Sequence, residues 1–133
     1  MHVAIIAAFA GIGALALAAA GAHSVHAQAE SAQVRHGAQL YAQHCALCHG
    51  ANGEGGAAFK TPIFGPGHQL SKFKTALGLF EYNQMLMPFD NPARISDQDK
   101  LAVVAFQLHR SGLLPPGAVI EMAGTAAIPI PGK

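Results

Sequence analysis

The two cysteines of the chain stand three positions apart in the stretch HCALCHG, residues 44–50, and a histidine directly follows the second one. A disulfide between Cys45 and Cys48 would close a very short loop and would stabilise little. A zinc site needs about four ligands, and no second cysteine pair or spaced histidine pair completes one. A thioredoxin-like redox pair would need a strand-rich fold, which a chain without β-branched runs does not predict. The motif therefore requires another interpretation.

Cys-x-x-Cys-His is the attachment signature of c-type haem. One short helical turn brings both sulfurs to one edge of a porphyrin, where each forms a thioether. His49 then lies under the iron as its proximal ligand. The motif therefore predicts one haem c, bound covalently through Cys45 and Cys48. Because a small domain buries a limited fraction of its surface, we expect this porphyrin to complete the core.

The second axial ligand of the iron is expected to be a methionine, whose sulfur raises the reduction potential and closes the iron to other ligands. Met87 precedes Pro88, which holds the backbone of Met87 extended and prevents a helix from continuing. Met85 would then point the opposite way, and Met122 lies in the C-terminal tail. We therefore expect Met87 as the ligand, ahead of Met85 and Met122. Four further histidines are more simply solvated surface residues: His36, His44, His68 and His109.

The first 27 residues have the pattern of a secretory signal peptide. Residues 3–22 contain only apolar side chains and glycine, and small residues precede a cleavage site expected after Ala27. No lysine or arginine precedes the apolar run, and about 20 apolar residues also suffice to span a bilayer. We therefore expect export to the periplasm. The alternative is an uncleaved anchor, residues 3–22, that holds the protein on the outer face of the inner membrane.

The charged residues all lie in the part of the chain that follows the expected cleavage site. Eight Lys and Arg against seven Asp and Glu give a net charge of +1, which does not indicate nucleic-acid binding. We expect one domain over residues 28–112, followed by a proline-rich tail over residues 113–133. The tail is expected to be extended and to lie against the domain, because its apolar residues would otherwise be exposed.

Apolar residues recur at helical spacing in three segments of this domain. The first spacing predicts a helix over residues 32–44. A loop rich in glycine and proline follows, from about residue 50 to 70. One or two short helices come next, with Ser71 as the expected cap. The last helix begins after Ser96 as its N-cap and ends at Gly112.

The stretches GAQLYAQHCALCHGANGEGG, TPIFG and MPFDNPARISDQDKLAVVAFQLHRSGL resemble the single-domain class I c-type cytochromes of bacteria, over nearly all of the mature chain except the tail. The resemblance implies an all-α cytochrome c fold of about three to five helices around one haem. It also implies that the first helix crosses the last through Gly37, Tyr41 and Phe106. In such proteins the carbonyl group at the position of Pro62 accepts a hydrogen bond from the proximal histidine, here His49.

The resemblance implies a function in electron transfer, without a substrate that the protein itself transforms. The expected partners are redox proteins: a dehydrogenase, an oxidase or a membrane complex. A narrower hypothesis makes the chain the cytochrome subunit or acceptor of a periplasmic dehydrogenase, such as one that oxidises an alcohol or sulfite. Lys60, Lys72 and Lys74 flank the site and are candidates for steering acidic partners. The alternative is a haem-based sensor or ligand-binding protein with an open or weakly held sixth site.

Overall fold

The computed structural model describes residues 29–65 and 67–132, so the expected signal peptide lies outside the described residues. Within these ranges the chain is helical and forms no β-strand, which confirms the all-α fold class. The α-helices are α1 (Ala32–His44), α2 (Ala46–His49), α3 (Ala76–Leu86) and α4 (Asp97–Arg110), and 3₁₀ helices lie at Leu70–Phe73, Pro92–Arg94 and Met122–Ala127. None of these described helices is both long and apolar enough to span a bilayer.

Side-chain caps begin both of the long helices. The Ser31 hydroxyl accepts a hydrogen bond from Val34 N at the start of α1. The Ser96 hydroxyl accepts one from Asp99 N at the start of α4, as the sequence predicts. Asp97 and Asp99 also place negative charge in the first turn of α4, where the helix dipole favours it. The predicted bounds of the first helix and the predicted cap of the last are therefore confirmed.

Helix α3 begins later than the sequence indicates. The Thr75 hydroxyl accepts a hydrogen bond from Gly78 N, so Thr75 is the cap, and the cap predicted at Ser71 is wrong. Ser71 instead lies within the 3₁₀ helix Leu70–Phe73. Lys74 has a φ of 66° and turns the chain between the two helices. The helical pattern of the sequence is thus interrupted by a residue in the left-handed region.

Helices α1 and α4 cross at very close range. A Cβ atom on Gly37 would lie 2.0 Å from the carbonyl oxygen of Ala102, so only glycine permits this approach. One turn further along α1, the Tyr41 ring lies 5.4 Å from the Phe106 ring and 5.1 Å from the Phe64 ring, measured between centroids. The crossing that the resemblance implied, through a glycine and aromatic residues, is therefore present.

The C-terminal tail packs into the same core as the helices, but it is not extended throughout, because Met122–Ala127 forms a 3₁₀ helix. Leu114, Ile120 and Ile130 are all buried members of that core. Gln33 Nε2 donates to the Ile120 carbonyl and Ile120 N donates to Gln33 Oε1, both at 2.9 Å. Ile130 N donates to the carbonyl oxygen of Lys74 at 2.7 Å. The tail is thus hydrogen-bonded to α1 through Ile120, and through Ile130 to Lys74, which lies just before α3.

Candidate cofactor site

A cavity of about 710 Å³ lies among the cysteine motif, α3 and α4. Cofactor sites usually have volumes of roughly 300–1,000 Å³, so this cavity is large enough for a prosthetic group. Its apolar lining includes Ile63, Leu70, Phe73 and Leu79. Such side chains exclude water from the interior. The few polar and sulfur-bearing residues of the wall therefore determine which chemical group the cavity can bind.

The cysteine motif forms one wall of this cavity. Cys45 ends α1, its N–H donating to Tyr41 O at 2.9 Å, and His49 N donates to Cys45 O at 3.0 Å. The motif is therefore a single helical turn, and Cys45, Cys48 and His49 all line the cavity. The two cysteines form no disulfide with each other. The turn thus presents two thiols and one imidazole to the same space, as the spacing predicts.

Burial sets the protonation of these groups. Burial, followed by the effect of the neighbouring Cys48, raises the pKa of the Cys45 thiol to about 11. Burial lowers the pKa of His49 below its ordinary value of 6.5. Before a thioether forms, the Cys45 thiol is therefore protonated at neutral pH and the His49 ring is neutral. The neutral imidazole is the form that binds a metal.

The surroundings of the His49 ring differ from those that the resemblance implied. Nδ1 of His49 is buried and has no hydrogen-bond partner in the described part of the chain. Pro62 does not line the cavity, and no hydrogen bond joins its carbonyl group to His49. The ring instead contacts Phe59 edge-on, with 5.1 Å between centroids. The role of Pro62 as acceptor therefore stays a prediction, and Nδ1 is a donor that needs such an acceptor.

Met87 lines the cavity, whereas Met85 and Met122 do not. The backbone of Met87 is extended, with φ −124° and ψ 139°, as the following proline predicts, and the Met87–Pro88 peptide bond is cis. Its N–H donates to Asn83 O at 3.0 Å and ends α3. Met85 lies within α3 and is 65% exposed, and Met122 is 41% exposed. Of these three candidate methionines, the structure thus brings Met87 to the cavity of the cysteine motif.

Two buried polar residues of the wall were not identified from the sequence. Asn83 is 6% exposed and donates to Leu79 O at 2.8 Å. Gln107 is 5% exposed, and its Oε1 atom is buried without a hydrogen-bond partner within the described chain. Each lies on the buried stripe of its helix, Asn83 three positions after Phe80 and Gln107 three positions after Val104. A polar residue that interrupts a buried helical stripe is the sequence signal that identifies such positions.

The lysines and histidines named from the sequence differ in their distance from the site. Lys72 lines the cavity, and its Nζ lies 5.0 Å from the centroid of the Phe73 ring. Lys60 and Lys74 are exposed and do not line it. Among the other histidines, His44 lines the cavity, and His36 contacts Asp99. The prediction of a solvated surface residue is wrong for His109, whose side chain is only 16% exposed and contacts Glu30.

The donor set of this cavity fits a covalently bound haem. Cys45 and Cys48 supply two thiols one turn apart, His49 supplies a neutral nitrogen, and Met87 supplies a thioether sulfur in the same cavity. The unpartnered Nδ1 of His49 is the atom that a ligating imidazole uses for its second hydrogen bond. This fold and this site define a class I c-type cytochrome domain.

The chain belongs to the family described as cytochrome C oxidase, cbb3-type, subunit III, whose family model matches residues 32–106. Proteins of this class bind covalently attached haem c, and haem c is the cofactor of this chain. A search of curated proteins finds no match.

Two solved structures are similar to parts of this chain. The chain is 26% identical to a chain of the sulfane dehydrogenase SoxCD from Paracoccus pantotrophus, with a TM-score of 0.62, and the match covers 74% of this chain and 53% of that one. A chain of the thiosulfate dehydrogenase TsdBA from Marichromatium purpuratum, in its as-isolated form, is 31% identical with a TM-score of 0.46. That match covers 55% of this chain and 17% of the other. The chain therefore spans about half of the SoxCD chain that it matches.

Proposed function

We propose that this protein is a periplasmic monohaem cytochrome c that passes single electrons between redox partners. When bound, haem c supplies a one-electron iron couple. In this proposal Cys45 and Cys48 would hold the cofactor, and His49 and Met87 would be the ligands of its iron. The observation that supports it is that Met87 lines the same cavity as His49. A thioether in that position closes the iron to small molecules and favours electron transfer over ligand binding.

The proximal side of the site is held by hydrogen bonds that restrict its movement. Gly55 N donates to His49 O at 2.9 Å, and Phe59 N donates to Cys48 O at 3.2 Å. The Tyr41 hydroxyl donates to Gly50 O at 2.8 Å. These bonds tie the cysteine motif to the loop that follows it and to α1. An electron carrier needs little rearrangement between its two oxidation states, and this loop supplies that rigidity.

The wall of the cavity includes three exposed apolar side chains. Leu47, between the two cysteines, is 87% exposed, Phe89 is 84% exposed, and Phe59 is 39% exposed. All three line the cavity. We propose that a redox protein docks here, with apolar contact supplying the affinity and Lys72 a modest positive charge.

We further propose that this partner belongs to a periplasmic dehydrogenase complex, in which the present chain is the cytochrome component and carries out no substrate chemistry. The similarity to a chain of the sulfane dehydrogenase SoxCD supports a partner that oxidises reduced sulfur. The partner itself is identified by adding candidate reduced dehydrogenases to the oxidised cytochrome and measuring haem reduction. Leu47→Ser and Phe89→Ser should slow that reduction without changing the spectrum.

The Met87→Ala variant tests the ligation that this function requires. The oxidised wild type should show the absorption band of methionine-to-iron charge transfer at the red end of the spectrum. Met87→Ala should lose the band, and the matched control Met85→Ala should retain it. Rapid carbon monoxide binding by the reduced wild type would instead support a haem-based sensor with an open sixth site.

The mass of the purified protein tests attachment and export together. We propose that the mature chain begins after Ala27, with a domain over residues 28–112 and a C-terminal tail over residues 113–133. A host that attaches haem c should therefore yield a shortened chain plus one haem. A mass equal to that of the bare full-length chain would contradict both cleavage and attachment.

A further inference from the structure

Lys100 is a buried lysine that connects α4 to the end of α3. It is 3% exposed, and its Nζ donates to the backbone carbonyl of Gln84 at 2.8 Å. The side chain of the same residue, Gln84, donates from Nε2 to Asp97 Oδ2 at 2.8 Å. Asp97 and Lys100 are three residues apart and therefore lie on one face of α4. We refer to Gln84, Asp97 and Lys100 as the Gln84 clamp.

The Lys100 ammonium group donates a hydrogen bond to the C-terminal end of a helix and not to a carboxylate. Within the described chain, no acidic side chain forms an ion pair with it. A buried charge is costly unless it is hydrogen-bonded. The last turn of α3 supplies the compensation, because its final carbonyl groups lack partners within the helix and carry partial negative charge. The ammonium group of Lys100 thus stabilises the C-terminus of α3.

We infer that Lys100 is a positioning residue for Met87. Gln84 lies three residues before Met87 in the last turn of α3, and Met87 N donates to the carbonyl of the adjacent residue, Asn83. By holding this turn against α4, the clamp sets the direction in which the chain leaves α3 toward the cavity. Loss of Lys100 frees the turn and increases the fraction of molecules whose Met87 sulfur has left the iron. The inference rests on the proposed ligation by Met87.

Imidazole binding to the oxidised, haem-loaded protein tests this role, because imidazole must displace the methionine. Lys100→Leu should bind imidazole about ten-fold more tightly than the wild type, as expected when a charged hydrogen bond no longer favours the closed form. Its methionine-to-iron charge-transfer band should also weaken. Lys100→Arg retains a buried cationic donor and should restore both properties. If Lys100→Leu yields no folded protein, Lys100→Gln takes its place with the same expectation.

Gln33→Leu is the matched control for a general loss of stability. It removes both hydrogen bonds to Ile120 and so weakens the attachment of the tail without touching the clamp. It should lower the free energy of unfolding but leave imidazole affinity unchanged. The inference is overturned if Lys100→Leu binds imidazole as the wild type does, or if Gln33→Leu tightens binding equally. Met87→Ala distinguishes failure of this inference from failure of the proposed ligation. If that variant retains the charge-transfer band, the proposed ligation by Met87 is itself contradicted.

Discussion

Replacement of Gly37 by alanine would force α1 and α4 apart. The new Cβ atom would lie 2.0 Å from the carbonyl oxygen of Ala102, 2.5 Å from its carbonyl carbon and 3.0 Å from Cβ of Phe106. Ordinary van der Waals contact begins near 3.4 Å, so the helices must separate by about 1.4 Å at this point. Because the nearest atoms belong to the backbone, no rotation of a side chain relieves the clash.

The energetic cost of this separation has three parts. Overpacking of a close-packed core costs roughly 1–3 kcal/mol. The separation also loosens the contacts that the Tyr41 ring makes with Phe106 and Phe64, and each aromatic pair contributes about 0.5–1.5 kcal/mol. Alanine offsets about 1 kcal/mol of this cost because its helix propensity is higher than that of glycine. We therefore expect Gly37→Ala to lower the free energy of unfolding by about 3 kcal/mol.

Urea unfolding of the haem-loaded protein measures this difference. Gly124→Ala is the matched control, because no heavy atom lies within 4 Å of a Cβ built at that glycine. Its free energy of unfolding should stay within about 0.5 kcal/mol of the wild-type value. If Gly37→Ala proved as stable as Gly124→Ala, the reasoning from the helix crossing would be refuted.

Two further predictions concern the tail and acid stability. Ile130→Ala should lower the free energy of unfolding by about 2–5 kcal/mol because Ile130 is 2% exposed, whereas Val119→Ala, at a residue 58% exposed, should cost far less. Equal urea midpoints for these two variants would contradict a structural role of the tail. Hydrogen bonds from His36 and then Ser96 lower the pKa of Asp99 below 3.8, so ionised Asp99 stabilises the fold above that pH and the contribution is lost as the pH falls through the lowered pKa. Asp99→Asn should therefore flatten the fall in stability below about pH 4, and an unchanged pH profile would show that the interaction is without effect.

The parts of the structure that the sequence predicted depend on local rules. The cysteine motif is one helical turn, so its spacing alone placed Cys45, Cys48 and His49 on one wall. Proline after Met87 restricts the backbone of Met87, which is extended as predicted. The predicted alternation that would turn Met85 the opposite way does not apply, because Met85 lies within α3, and Met87 as the iron ligand stays a prediction. The long helices were predicted for the same reason, because apolar spacing and capping residues act within a few positions of one another.

The parts that were missed depend on contacts between distant residues or on rare backbone angles. The hydrogen bond of Lys100 to Gln84 spans 16 positions, and those of Gln33 to Ile120 span 87. No local pattern encodes either pairing. Ser71 is the expected cap because serine often caps helices, but the left-handed backbone of Lys74 interrupts the helical pattern, and the cap of α3 is the next residue, Thr75. A lysine in a sequence does not predict a positive φ.

The position of the tail's end has a consequence for fusion proteins. Ile130 pairs with Lys74, and the 3₁₀ helix just before Lys74 contributes Lys72 and Phe73 to the cavity wall. A linker joined after residue 130 therefore starts beside the haem pocket. An enzyme tethered through such a linker would be held near the proposed docking surface even if the linker were only a few residues long.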